Sequence, residues 1–128
     1  MTVLNNEKKE INGMQIVGVD YRDSLNRTKL EEMLKNLIDK NKPSVLLKHA
    51  PFDLDITEKA GVNMELSGHT HRTQMWPLNF ITQLVYKGYD CGLKSFGNMS
   101  VYTSDGVGTW GPPVRVGTNA EIVSIEFE

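Results

Sequence analysis

The sequence predicts a single α/β domain. Short apolar runs alternate with a helical segment in the first half, and glycines punctuate short β-type runs in the second. The length of 128 residues suits one domain with a real but modest core. No internal repeat, low-complexity tract or linker divides residues 1–128.

Residues 8–11 and 14–19 flank Asn12-Gly13, a pair that favours the φ > 0 conformations of a tight hairpin. Residues 28–40 carry Leu30, Met33, Leu34, Leu37 and Ile38 at helical spacing, with Lys, Glu and Asn opposite. That stripe reads as core. Pro43 separates it from residues 44–48, a run suited to a buried strand. A short helix over 55–60 is stopped by Gly61, and 63–67 reads as another strand. Residues 74–84 fit no single pattern. Beyond them, 86–89, 93–95, 99–103 and 121–127 read as short strands.

Composition removes several function classes. Fourteen Lys and Arg stand against sixteen Asp and Glu, interspersed, for a net charge of −2. There is no basic stripe for nucleic acid and no polybasic arm for an anionic membrane. No apolar run approaches the roughly 20 residues needed to span a bilayer, and residues 1–10 have neither signal-peptide nor transit-peptide character. The lone Cys91 excludes an internal disulfide and fits a reducing compartment. With no base beside it in sequence, it reads as a strand or turn residue.

The chemistry lies in the histidines. All three, His49, His69 and His71, fall in two places: Lys48-His49-Ala50-Pro51 and Leu66-Ser67-Gly68-His69-Thr70-His71. Each place is the end of a predicted strand entering a turn, where open α/β sheets bind ligands. Neutral imidazole is the commonest metal ligand near physiological pH, so three gathered this way point to a metal site. Gly68, lacking Cβ, is expected to give the sharp turn and close approach there. Three neutral donors cannot balance one divalent cation, let alone two. Asp20, Asp53, Asp55, Asp90 and Asp105 are the local carboxylates, each read as a turn or surface residue.

The strand-His-x-Pro and Leu-Ser-Gly-His-Thr-His motifs resemble the last two metal-binding motifs of calcineurin-like metallophosphoesterases. The likeness runs along nearly all of the chain, through Ile16-Val17-Gly18-Val19-Asp20 and the late stretch from Gly108 to Gly117. That stretch looks like the bacterial branch acting on phosphodiesters and phospholipid-like substrates. The resemblance implies one sheet layer, with helices on one face, of a four-layer αββα sandwich. It implies that His49 and His69 hold one ion and His71 the other of a dinuclear pair of Mn, Fe, Zn or Ni ions, which hydrolyses phosphoesters. From the residues themselves, Arg72 reads either as a substrate-phosphate contact or as surface charge, and Trp110 either as lining the substrate cleft or as a buried ring pinning a tight Gly/Pro turn.

The chain departs from the family pattern too. Complete members begin with Asp-x-His, then Gly-Asp, then Gly-Asn-His-(Asp/Glu), and none of these occurs here. Those motifs supply the bridging carboxylate and further ligands. The expectation is therefore the C-terminal half of such an enzyme, with Met1 an introduced start and any membrane anchor left in the absent N-terminal part. Alone, it should bind at most one ion, hydrolyse weakly or not at all, and pair its uncovered sheet face in a homodimer. The competing class is a non-catalytic metal-binding or self-assembling module.

Overall fold

Asn12 and Gly13 both take left-handed φ, 50° and 84°, so the chain reverses in two residues. The hairpin joins β1 (Glu7–Ile11) antiparallel to β2 (Met14–Gly18). A single turn, α1 (Tyr21–Ser24), follows, capped by the Asp20 carboxylate, which accepts from the Arg22 and Asp23 amides. Then comes α2 (Arg27–Leu37), whose N-cap Asn26 accepts from Lys29 N–H. The helix ends three residues before the predicted limit of 40. Gln15 is the cause: its buried amide donates to the Asp39 and Lys42 carbonyls and accepts from Asp39 N–H, drawing the chain out of the helix.

Two parallel units build the centre. β3 (Ser44–Leu47) leads to α3 (Leu54–Ala60), stopped by Gly61 at φ 89°, and then to β4 (Met64–Ser67). The segment without a clear pattern contains a helix, α4 (Asn79–Val85), before the antiparallel pair β5 (Gly92–Phe96) and β6 (Met99–Thr103). The computed structural model describes residues 2–127, which form one six-stranded mixed sheet in the order β1-β2-β3-β4-β6-β5.

Alternation along the strands sorts the two faces. Val17, Leu46, Met99 and Val101 face α2 and α3, where Leu30, Leu34, Leu54 and Ile56 close the core. The opposite face, which presents Leu47 and Leu93 (39% and 65% exposed), carries no helix of the core. This is an α/β layer consistent with a calcineurin-like sandwich.

Two predicted strands are absent. Residues 86–89 instead close α4: Tyr86 N–H bonds Thr82 O, and Gly88 N–H bonds Gln83 O with Lys87 and Gly88 at positive φ. Residues 121–127 form no strand. Glu121 is tied by its side chain, which accepts from Tyr102 OH and Asp105 N–H, and Ile122 is left 91% exposed.

Within the helix-covered face lies an ion pair, Lys48 Nζ to Glu65 Oε2 at 3.2 Å, with both side chains at most 1% exposed. Removing one partner strands the other without water. We expect Lys48→Met or Glu65→Leu alone to cost roughly 3–5 kcal/mol in urea unfolding, and the double variant less than either.

Candidate metal centre

Parallel pairing brings the two histidine loops side by side. Leu47 registers with Leu66, and the ladder continues past both strands: Lys48 N–H bonds Leu66 O and Gly68 N–H bonds His49 O. His49 Nε2 then lies 2.7 Å from His69 Nδ1, with ring centroids 4.6 Å apart. The end of β2 joins through Val19 N–H to Leu47 O, which sets α1 beside the pair. From α1, the Tyr21 ring contacts His49 edge-on at 4.5 Å and His69 at 5.7 Å. Sequence reasoning did not find Tyr21; its signal was the end of a third strand at the same edge.

The sharp turn does not rest on Gly68. A Cβ there would meet only Ser104 O, at 3.8 Å. The left-handed backbone falls on its neighbours: His69 (φ 71°), His71 (44°), Arg72 (49°), Thr73 (54°) and Gln74 (60°). Such conformations are uncommon without glycine and concentrate at functional loops. They turn His71 back toward the same cleft, an open space of about 580 Å³ lined by His49, His69, His71, Thr82, Tyr86 and Trp110 among others.

Trp110 lies in the cleft wall although it is 72% exposed, so it does not pin a buried turn. It is held by its backbone. The buried Gln74 amide donates to Trp110 O at 2.6 Å and accepts from Trp110 N–H. Gln74 carried no signal in the sequence. Arg72 does not line the cleft; its charge acts on Asp105 and Cys91 instead.

Four of the five local carboxylates are committed elsewhere, and the fifth, Asp105, has a buried Oδ1 without a hydrogen-bond partner. Asp20 caps α1, Asp53 and Asp55 pair with Arg27, and Asp90 faces Lys94 at 3.9 Å. Asp105 is held above the ordinary carboxylate range by burial and by the Glu121 charge. Burial also pushes the Cys91 thiol up, away from a reactive thiolate. His69 is held below its ordinary value by burial and by the neighbouring His49 and His71, which favours the neutral, ligand-competent ring.

The fit to a metal is partial. Among the described residues no group of three His, Cys, Asp or Glu side chains is placed to hold an ion. The 2.7 Å pair is a hydrogen bond, whereas two ring nitrogens on one tetrahedral ion stand about 3.3 Å apart, from Zn–N bonds near 2.0–2.1 Å. The pair needs only a small opening. His71 Nδ1 is buried without a partner, a donor atom left over for such a use. What is missing is negative charge.

Two outcomes follow. His69 releases its proton more readily in the folded state than in the unfolded chain. Stability should therefore fall as pH drops through the ordinary histidine value of 6.5. His69→Asn should flatten that fall in urea unfolding at about pH 7.5 and about pH 5.5. Gln74→Ala leaves the Trp110 backbone groups unpaired. It should cost about 1–3 kcal/mol and speed proteolysis near Trp110.

Comparison with known proteins agrees. The chain is 35% identical to an uncharacterized metallophosphoesterase of Helicobacter pylori strain J99, over 99% of this chain and 35% of that protein. A Campylobacter jejuni uncharacterized metallophosphoesterase is 30% identical over all of this chain and 35% of its own length. A cattle transmembrane protein with metallophosphoesterase domain is 35% identical over 65% of this chain and 19% of that protein. No family model and no solved structure matches. The chain spans about a third of the length of these two bacterial relatives. Over that span, it belongs to the metallophosphoesterase family.

Proposed function

We propose that this chain supplies the histidine edge of a dinuclear metal site in a phosphoester hydrolase. The observation that carries the reading is the 2.7 Å approach of His49 Nε2 and His69 Nδ1 at adjoining strand ends. His49 and His69 hold one ion, and His71, with its unpaired Nδ1, holds the other. Divalent ions held there supply Lewis-acid charge to a phosphoryl oxygen and a water acidic enough to attack near neutral pH. Tyr21 supports the two rings, and Trp110 walls the substrate cleft. Arg72 adds positive charge beside it for an anionic phosphoester, of the phosphodiester or phospholipid-like class.

The further carboxylates that two ions require come from a segment outside these residues, because Asp20, Asp53, Asp55 and Asp90 are engaged in caps and ion pairs and Asp105 alone has an unpartnered oxygen. The cattle and zebrafish relatives are described as transmembrane proteins with a metallophosphoesterase domain; by extension, we place the domain beside a membrane. A second reading rests on the sheet face opposite the core, with Leu47 and Leu93 exposed. In isolation, that face pairs with a second copy, and the chain acts as a metal-binding, self-assembling module without turnover.

Calorimetric titration with Zn, together with hydrolysis of bis-p-nitrophenyl phosphate in Mn or Zn, tests the proposal. The expected result is about one equivalent bound, weakened roughly tenfold or more by His49→Ala or His69→Ala, with little turnover. Two equivalents with rapid turnover would show that the chain completes the site by itself. No binding would remove the metal reading.

A further inference from the structure

Among the described residues, no lysine or arginine lines the histidine cleft. An anionic phosphoester drawn into it therefore meets neutral side-chain donors, backbone N–H groups and whatever ions the histidines hold.

The cleft's four hydroxyls are not equivalent. Thr70 donates to Asp90 O at 2.7 Å, Thr73 to Arg72 O at 2.7 Å and Thr82 to Asn79 O at 2.9 Å, so all three threonine donors are spent on the backbone. Among the described residues, no protein acceptor takes the hydroxyl of the fourth, Tyr86, or the indole N–H of Trp110. The contrast extends to the other tyrosines. Tyr89 and Tyr102 donate to Ser95 O and Glu121 Oε1.

Of the two free donors, Tyr86 is the braced one. It ends α4 with its N–H on Thr82 O, and its half-buried ring lies 4.8 Å from that of Phe52 at an interplanar angle of 32°. Phe52 belongs to the loop that starts at His49, where its N–H bonds Ala50 O. The segment that presents His49 thus also holds the phenol, whereas Trp110 is 72% exposed. Burial, with nearby Tyr21, pushes the Tyr86 phenol above its ordinary value, so the oxygen keeps the proton it would donate.

We propose that Tyr86 is a substrate-binding residue whose hydroxyl donates a hydrogen bond to a non-bridging oxygen of the phosphoryl group in the histidine cleft. The proposal rests on the hydrolase reading above and adds to it a donor that this chain offers the substrate. A phenol suits the place because it donates without a fixed charge. A lysine or arginine there would be repelled by divalent ions on the histidines.

The test uses the 128-residue chain, Zn and inorganic phosphate. Calorimetry measures Zn binding first, then phosphate binding to the Zn-loaded chain. Tyr86→Phe keeps the ring, its contact with Phe52 and the wall of a neighbouring cavity of about 460 Å³ that both residues line. Only the hydroxyl is lost. Its Zn affinity should stay within about twofold of the parent chain while phosphate affinity falls about tenfold, the loss expected for one hydrogen bond to a charged group. Tyr89→Phe should change neither. With an isotope label at tyrosine Cζ, phosphate should shift the Tyr86 resonance and leave that of Tyr89 in place. Phosphate binding that is absent from the Zn-loaded parent chain, or equal in Tyr86→Phe, would overturn this proposal and leave the metal reading standing. A parent chain that binds no Zn would overturn both.

Discussion

The histidine end of this domain depends on a charge pair that water does not reach. Burying two ions costs more than their attraction returns unless their remaining hydrogen-bonding groups are met. Here they are met: Lys48 also donates to Phe52 O and Thr57 Oγ1, and Glu65 Oε1 accepts from Ser67 OH. The pair ties the end of β3, the loop after it, α3 and β4 into one unit. Lys48 immediately precedes His49, and Glu65 precedes His69 by one short strand. A one-residue slip of either strand would turn its charge to the opposite face and break the pair. The register that places the two rings together is thus enforced from beneath. Burial raises the Glu65 carboxyl despite Lys48 opposing it, a sign of how little solvent the pair retains.

Much of this was legible in the sequence, because it followed from local rules. Asn12-Gly13 could serve one hairpin geometry, the Leu30 and Leu34 spacing needed a core, and Gly61 ended a helix as glycine does. The His49 and His69 loops were legible as neighbours because both followed short buried strands. What escaped depended on contacts distant in sequence. Gln15 shortens α2 from another strand, and Gln74 reaches Trp110 across a loop. Residues 121–127 look like a strand by composition but are anchored through the Glu121 carboxylate instead. The helix α4 was obscure for a different reason: its apolar residues face outward, so its pattern lacked the usual polar outer face.

The turn after β4 shows how the fold sustains an unfavourable backbone. Five residues between His69 and Gln74 take left-handed φ, including β-branched Thr73. Each is disfavoured, so the surroundings must over-determine them. Thr70 OH donates to Asp90 O at 2.7 Å, Thr73 N–H bonds Thr70 O, and Gln74 N–H bonds His71 O. Gln74 then grips the far wall. The strain sits on the histidine-bearing residues and the bracing on their neighbours, which is the distribution expected of a preorganised site.

A site with three imidazoles and no carboxylate also explains the charge of its surroundings. Two divalent ions within about 4 Å need anions between them, and of the nearby acids Asp20, Asp53, Asp55 and Asp90 are occupied by a cap, an arginine or a lysine, leaving only Asp105, whose buried Oδ1 is unpartnered. Relocating one of those acids would cost the fold a contact it already uses. Under the proposed function, the anions come from outside these residues, and the rim can then remain free of carboxylates. That freedom matters for an anionic substrate, since a fixed acid at the mouth would repel the phosphoester before it reached the ions. The proposed dependence on a second segment for ligands thus follows from one arrangement: four nearby acids spent on caps and ion pairs at the edge where the histidines gather.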